Sequence, residues 1–308
     1  MELIFNEQTN QYEYHGDLPE DTNTYYAEVF IKYFNILFQL YSEAFEVSEY
    51  SALMTLLAVR GIEDPGWDPY ESTLNIVDSV RDIHGKVEDY VAQKNLQLWS
   101  YCHILEASEP YEKIMNLLSI INGKEYTTEC FPANKRGNPQ TPGQKIAKIK
   151  ELSRKLAICP LEDIFDDLWD KQLRNSIFHS DYSFYGEYTR TRNPFREFTG
   201  KEINEKINKT LAYLDSMRAI HKNFISSYEE PCLVDLPKTF SGRQSEKARV
   251  IVRKKHGAVG IKDNYSIEEL RKGFIPFRLG RFYDYEIELL NKDSELALLP
   301  AYDKSNHG

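Results

Sequence analysis

The chain has 308 residues, of which 41% are apolar and 28% are charged, and this balance excludes a disordered composition and leaves enough apolar side chains for a buried core. Its 48 acidic residues outnumber 38 Lys and Arg, and the formal charge of −10 argues against binding nucleic acid by bulk attraction, so any nucleic-acid site must be local. By length alone, the chain fits two domains or a single helical domain with a small appendage equally well.

The N-terminal sequence lacks the basic region and the following apolar region of a secretory signal. The most apolar long stretch, residues 29–45, is interrupted by polar residues and is too short for a membrane helix. We therefore expect a cytoplasmic protein without a membrane segment. No two of the cysteines form a C-x-x-C pair, so reduced, buried thiols are expected rather than a metal site: Cys102, Cys130, Cys159 and Cys232. Neither a metal nor a cofactor is expected.

The first half of the chain has the periodicity of successive helices. Residues 1–20 are polar and aromatic and are expected to form a short strand or an arm. Apolar residues then recur at steps of three and four over residues 22–60, with a break near Ser48. A Gly- and Pro-containing loop leads to a helix that begins at Pro69. One face of this helix is formed by Ile76, Val80, Ile83, Val87 and Tyr90. Further helices are predicted over residues 93–107 and from Pro110 to the stop at Asn122-Gly123.

A long loop is predicted over residues 126–143, and the segment that follows it is locally basic. Seven Lys and Arg lie between positions 135 and 155, against Glu151 as the one acid: Lys135, Arg136, Lys145, Lys148, Lys150, Arg154 and Lys155. Two interpretations remain open. The segment is either a solvated helix face or a surface that binds anions or an RNA backbone.

An acidic helix is predicted to begin after Cys159-Pro160. Its apolar residues form one stripe, and its five carboxylates mostly face away from that stripe: Glu162, Asp163, Asp166, Asp167 and Asp170. Acidic residues in the first turn of a helix are favourable, so a solvated face is expected rather than a metal site. An Arg-rich loop and a long helix over residues 203–228 follow.

After Pro231 the residue pattern changes from helical periodicity to short β-branched runs. Two β-branched runs, 248–253 and 258–261, flank a Gly-containing turn and predict a hairpin, whose Lys and Arg form either a solvated surface or a module that guides RNA or docks a partner. A capping box at Ser266 and Glu269 predicts a short helix, and residues 283–290 a last strand. We therefore divide the chain into a helical domain, residues 1–228 with the arm 1–20, and a small α+β domain, residues 229–308.

One segment carries residues suited to chemistry, at the end of the predicted acidic helix. Asn175 and His179 are four residues apart, so on a helix they share a face and the amide of Asn175 can hydrogen-bond the imidazole. Arg174 lies about 140° around the axis from His179, but its long side chain can reach the same pocket. A guanidinium that neutralises phosphate charge and an imidazole that moves a proton are what cleavage of a phosphodiester beside a 2′-hydroxyl would use.

The sequence Arg174-Asn175-Ser176-Ile177-Phe178-His179, followed by Asp181-Tyr182 and placed late in a helical domain, resembles the motif of HEPN-domain proteins, especially the abortive-infection-like bacterial members. The resemblance covers about residues 25–228. It implies a mainly α fold, a HEPN-like helical bundle, to which this chain adds a small C-terminal α+β appendage.

The resemblance also implies a metal-independent endoribonuclease in which Arg174 and His179 act on the scissile phosphate and Asn175 shapes the site. Two copies usually form one composite site across a two-fold axis, so a homodimer is implied. Such proteins typically act as toxins or effectors in toxin–antitoxin, anti-phage or stress systems, under the control of an antitoxin or another partner protein. Some relatives do not cleave RNA and serve as modules that bind nucleotides, RNA or a partner within a defence complex.

Cations near the motif are candidates for binding RNA phosphates: Lys171, Arg190 and Arg192. The alternative for the loop arginines is pairing with Glu187 or Glu197. The motif itself has a structural alternative, in which Arg174 pairs with Asp170 and His179 caps the helix C-terminus.

Overall fold

A computed structural model describes residues 2–9, 11–15, 24–57, 69–158, 160–238, 246–254, 256–264 and 278–280. Within these ranges the protein is mainly helical, as predicted, with a small sheet portion. The helices are α1 (Thr24–Val47), α2 (Glu49–Leu56), α3 (Pro69–His84), α4 (Tyr90–Glu106), α5 (Ser108–Ile121), α6 (Pro142–Lys155), α7 (Pro160–Leu168), α8 (Lys171–Phe178) and α9 (Gly200–Ser226). None of the helices in the described part of the chain has the length and apolar character needed to cross a membrane.

The strands form three antiparallel sheets in the described ranges. Strands β1 (Glu2–Asn6) and β2 (Gln11–His15) pair in the predicted N-terminal arm. Strands β3 (Tyr182–Tyr185), β4 (Tyr188–Thr191) and β5 (Arg196–Phe198) form a second sheet in that order. The third sheet has the order β6 (Leu233–Asp235), β7 (Lys247–Arg253), β8 (Gly257–Asp263) and β9 (Arg278–Gly280), and its β7–β8 hairpin confirms the prediction. The helix predicted at Ser266 and the strand predicted over 283–290 lie outside the described residues.

Several helix boundaries follow directly from local sequence. The predicted break at Ser48 is the N-cap of α2, where its side chain accepts a hydrogen bond from the backbone N–H of Ser51. Helix α3 begins at Pro69, as predicted. Helix α6 begins with a capping box between Thr141 and Gln144, and Pro142 follows the cap because its missing N–H has no partner to lose there.

Two sequence predictions around the motif were wrong. The segment predicted as an Arg-rich loop is the sheet β3–β4–β5. Its strands are only three or four residues long and rich in Tyr, Thr and Phe, which favour strands, but the polar residues between them hide the alternation. The predicted acidic helix also does not continue into the motif. It ends at Leu168 as α7, and the motif lies on a separate helix, α8.

Contacts between Cα atoms divide the chain into two compact units. The first unit comprises residues 1–43, 69–118 and 129–220, and the second comprises residues 44–68, 119–128 and 221–308. Neither unit is continuous in sequence. The second unit therefore contains the whole segment 229–308 together with two segments from the first half of the chain.

The apolar face predicted for α3 is not the one that packs, and Val87 and Tyr90 lie beyond its end at His84. In the first unit, Tyr70 and Val77 on α3 pack with Ile104 and Leu214. The stripe that contains Ile76 and Ile83 is instead exposed, with 49% and 45% of these side chains open to solvent. Helix α3 thus has apolar residues on two faces, and the steps of three and four residues fit both of them.

The acids of α7 are not simply a solvated face. Asp167 accepts hydrogen bonds from Lys209 on α9 and Tyr33 on α1. Burial raises the pKa of Asp167, but the hydrogen bonds from Lys209 and Tyr33 and the neighbouring charges lower it by more, so its pKa lies below the ordinary value. Two other acids of α7 pair with the basic helix α6, Asp166 with Lys150 and Glu162 with Arg154. Two of the seven cations of the basic segment, Lys150 and Arg154, are therefore paired with α7.

In the second unit, the end of α9 fits closely against the turn between β7 and β8. Gly257 has a φ of +76°, and a Cβ atom built there would lie 1.9 Å from the carbonyl oxygen of Ile225. The same unit holds a stacked pair of rings, Phe45 and Phe224, and a hydrogen bond of 2.8 Å from the hydroxyl of Tyr228 to Glu49. Glycine is required at position 257 for both its backbone angle and the missing Cβ.

The substitution Gly257→Ala is expected to destabilise the protein by about 3 kcal/mol or more, because the methyl group overlaps a helix backbone that cannot move cheaply. Gly123→Ala is the matched control: φ there is +77°, but no atom lies within 4 Å of the added Cβ, so only the backbone cost of about 1 kcal/mol is expected. Urea unfolding of both variants measures the difference. Equal losses would contradict the close approach of the β7–β8 turn to α9.

Candidate functional site

The position of the motif depends on the corner between α7 and α8. Asp170 is the N-cap of α8, and its Oδ1 accepts a hydrogen bond of 2.9 Å from the backbone N–H of Leu173. Its own N–H donates to the hydroxyl of the buried Tyr101 at 3.3 Å, and this hydroxyl donates to the carbonyl of Leu168, the last residue of α7, at 3.0 Å. One tyrosine of α4 thus connects the end of α7 to the start of α8.

Helix α8 is fixed on two further sides. Its buried residues Leu173, Ser176 and Ile177 face the interior of the first unit. The second carboxylate oxygen of Asp170 accepts a hydrogen bond of 3.1 Å from Arg196 on β5. The amide of Gln172 donates to Thr191 on β4 at 2.8 Å. The sheet that follows the motif therefore holds the helix that carries it.

The guanidinium of Arg174 is oriented by two partners. Its Nε and Nη2 donate to the same carboxylate oxygen of Glu106 on α4, at 2.7 and 2.5 Å, and its Nη1 donates to the amide oxygen of Asn175 at 2.8 Å. The guanidinium also lies over the ring of Phe178, 4.5 Å from its centroid. Only 22% of the Arg174 side chain is exposed. This group is a positioned cation at the surface of α8.

These contacts correct two expectations. Asp170 does not pair with Arg174, because it caps α8 and binds Arg196; the ion-pair partner of Arg174 is Glu106. Asn175 hydrogen-bonds Arg174 rather than the imidazole of His179. The helix ends at Phe178, and His179 follows it as the C-cap residue.

His179 occupies the C-cap position of α8, and its backbone N–H donates to the carbonyls of Asn175 and Ile177. Its side chain is exposed, and the imidazole has no hydrogen-bond partner within the described ranges. The next residue, Ser180, adopts a left-handed conformation with φ of +56°, and the N–H of Asp181 closes the helix end on the carbonyl of Ser176 at 2.8 Å. This turn directs the chain into β3 and leaves the imidazole at the surface.

The start of β3 is attached to α4. The hydroxyl of Tyr182 donates to the amide oxygen of Asn95 at 2.5 Å, and the ring of Tyr182 packs edge-on against Phe184. Helix α4 therefore contacts the motif region at two points: Glu106 binds Arg174 on α8, and Asn95 binds Tyr182, which follows the end of α8.

The predicted RNA-binding cations differ in their surroundings. Arg190 on β4 donates to Glu197 at 2.5 Å and lies over the ring of Tyr185, so the pairing alternative holds for it. Arg192 has an exposed side chain, and its backbone N–H donates to the carbonyl of Asp181 at 3.0 Å, which places it beside the end of the motif. Lys171 is exposed at the first turn of α8, at the opposite end of that helix from His179.

Sequence reasoning missed Glu106, and it did not place the thiol of Cys102, one turn earlier on α4, near Arg174. Burial raises the pKa of the Cys102 thiol to about 12, and the neighbouring Arg174 lowers it by less. This thiol is therefore protonated and inert near neutral pH. Cys102 is buried, as predicted, whereas Cys130 and Cys232 are half-buried, and Cys159 lies outside the described residues. Nothing local in the sequence marks Glu106, because its partner is 68 residues away.

No cluster of three or more His, Cys, Asp or Glu side chains suited to a metal ion occurs in the described part of the chain. The chemistry available at the motif is that of a guanidinium, an amide and an imidazole.

Comparison with known proteins gives no match: no family model, no curated protein and no solved structure is significantly similar to this chain.

The substitution Asp170→Ala is expected to lower the free energy of unfolding by about 1–2 kcal/mol, because α8 loses its N-cap and Arg196 its partner. Asp170→Asn is the matched control, since asparagine caps a helix as well as aspartate does and only the half-exposed ion pair is lost. Urea unfolding should show a clearly smaller loss for Asp170→Asn. Equal losses for the two variants would show that the cap does not hold the corner.

Proposed function

We propose that this protein is a metal-independent endoribonuclease of HEPN type, acting in the cytoplasm as a toxin or effector in anti-phage defence or a toxin–antitoxin system. The observation that supports it best is the combination, at α8, of a guanidinium held in place and an exposed imidazole. Arg174 is oriented by Glu106 and Asn175, while the imidazole of His179 is exposed and has no partner in the described ranges. The proposal also rests on the resemblance of the motif.

The reaction proposed is transfer of the phosphodiester onto the neighbouring 2′-hydroxyl. An imidazole removes the proton of this hydroxyl, its oxygen attacks phosphorus, and the bond to the 5′-oxygen breaks as that oxygen gains a proton. The guanidinium of Arg174 stabilises the charge that develops on the phosphate oxygens. The products carry a 2′,3′-cyclic phosphate and a 5′-hydroxyl.

This reaction needs one base and one acid, and a single neutral imidazole cannot serve as both in the same step. The proposed site therefore combines His179 from two copies of the chain, one as base and one as acid, in a homodimer. Two exposed aromatic side chains fit a surface that a second copy of the chain would cover. Phe178, next to His179, is 50% exposed, and Trp99, about two turns before Glu106 on α4, is 61% exposed.

The single substitutions His179→Ala and Arg174→Ala are each expected to reduce RNA cleavage by about 10²-fold or more. The assay uses labelled single-stranded RNA in EDTA and identifies the product ends. Lys222→Ala, an exposed lysine on the last part of α9, is the control and should cleave like wild type. Cleavage that persists in both motif variants, or that depends on a divalent metal, would contradict the proposal.

The composite site makes a separate prediction. Titrating the wild-type protein with an excess of the His179→Ala variant, after subunit exchange, is expected to reduce cleavage well below that of the same amount of wild type alone, because a mixed dimer holds only one imidazole. The Arg174→Ala/His179→Ala double variant should inhibit in the same way. Unchanged wild-type activity in the mixture would show that each chain carries a complete site.

A second candidate is a non-catalytic module that binds RNA, a nucleotide or a partner protein at the same surface within a defence complex. The ion pair between Arg174 and Glu106 favours it, since a guanidinium that already has a carboxylate partner is less available to a phosphate. This candidate predicts binding of RNA without product formation, and the cleavage assay above separates the two.

A further inference from the structure

A cavity of about 840 Å³ opens in the first unit between the first turns of α4 and α9. Its volume lies in the range of small-molecule sites. Helix α4 lines it from Tyr90 to Gln97, and α9 from Gly200 to Asn208, and Tyr25 and Glu187 complete the lining. The starts of both helices are already capped: Asp89 accepts the backbone N–H of Ala92 on α4, and Thr199 and Glu202 form a reciprocal pair at α9.

Lys94 lines the cavity and is unusual because it is a buried cation. The residue is only 9% exposed, and its Nζ has no hydrogen-bond partner among the described residues. The ammonium lies 4.3 Å from the ring centroid of Tyr90 and 5.8 Å from that of Phe184. Ring faces attract a cation, but they do not replace the hydrogen bonds to water that a buried ammonium has lost. An anion brought into the cavity would supply them.

The cavity also offers neutral polar groups. The side-chain amides of Gln97 and Asn204 line it and form no hydrogen bond with the described residues, so both donors and acceptors are available. The ring of Tyr90 is half-exposed and provides a flat surface for stacking. A ligand with a polar ring as well as a charge would use both.

Two carboxylates also line the cavity, and each is partly engaged. Glu205 lies 3.9 Å from Lys201, one turn before it on α9. Glu187 lies at the start of α9, where a Cβ atom built on Gly200 would be 3.6 Å from its Oε2. A carboxylate thus stands at this helix start already, and it belongs to the turn between β3 and β4, which carries Gly186 with a φ of +56°.

We propose that this cavity binds a phosphate monoester of nucleotide size. The phosphate pairs with Lys94, the buried cation of the lining that has no hydrogen-bond partner among the described residues. The base stacks on Tyr90 and hydrogen-bonds to Gln97 and Asn204. This chemistry has two sources, a free nucleoside monophosphate and the 5′-phosphorylated end of an RNA strand.

The test is calorimetric titration of the full chain with 5′-AMP, adenosine and inorganic phosphate. We expect 5′-AMP to bind at least about tenfold more tightly than adenosine, because the charge-assisted contact with Lys94 is lost without the phosphate. We also expect it to bind more tightly than inorganic phosphate, which lacks the ring. Equal binding of 5′-AMP and adenosine, or no binding of 5′-AMP, would overturn the proposal.

The variant Lys94→Met is expected to weaken 5′-AMP binding at least about tenfold while the melting temperature stays the same or rises, because an unpaired buried ammonium is replaced by an apolar chain of similar length. Lys222→Met is the control for loss of one lysine and should bind like wild type. Asn204→Asp provides a second test at an exposed position, where the added charge should repel the phosphate without cost to the start of α9. Wild-type affinity in both cavity variants would overturn the proposal.

Titration with a dinucleotide, with and without a 5′-phosphate, identifies the source. Tighter binding of the phosphorylated dinucleotide than of 5′-AMP assigns the site to RNA ends, and the reverse assigns it to the free nucleotide. If neither 5′-AMP nor the dinucleotide binds more tightly with its 5′-phosphate than without it, the result contradicts the site.

The titrations are repeated on His179→Ala. Equal affinities there show that this cavity is independent of the proposed ribonuclease site, whose own failure would leave the binding result unchanged.

Discussion

The carboxylate of Asp170 sets the geometry on which the motif depends. It caps α8 with one oxygen and binds Arg196 of β5 with the other, while its backbone N–H donates to Tyr101 of α4. Three elements therefore meet at a two-residue corner between α7 and α8. Without this corner, the apolar stripe of α7 would continue through the motif, and Arg174 would no longer point to Glu106.

Local sequence was sufficient for the helical character and for several helix boundaries, but not for the break before α8 or for the contacts of the site. Each of these signals acts within a few residues of the helix that it specifies: the apolar periodicity, the serine at position 48 and the proline at position 69. The α-helical character and several boundaries could therefore be predicted. The contact between Arg174 and Glu106 joins residues 68 positions apart, and no short-range pattern records it. The break before α8 was missed for a related reason, because an aspartate can serve as a cap or as one more acid on a helix face, and only its partners decide which.

The distribution of charge explains how an acidic protein can retain a local basic surface. Helices α6 and α7 form two ion pairs, Lys150 with Asp166 and Arg154 with Glu162, and Arg190 pairs with Glu197. Around α8, the exposed side chains of Lys171, His179 and Arg192 are not part of these pairs. Any attraction of RNA to this surface therefore rests on a few cations close to the motif and should be sensitive to salt.

The left-handed conformation of Ser180 gives the helix end a mutational sensitivity of its own. Glycine and asparagine adopt this conformation at low cost, whereas a β-branched residue would resist it and favour a different exit from α8. Since Ser180 directly follows His179, sequence drift at a residue with no role in chemistry can reposition the imidazole. A substitution at position 180 can therefore change the exit of the chain from α8 while Arg174 and His179 themselves stay unchanged.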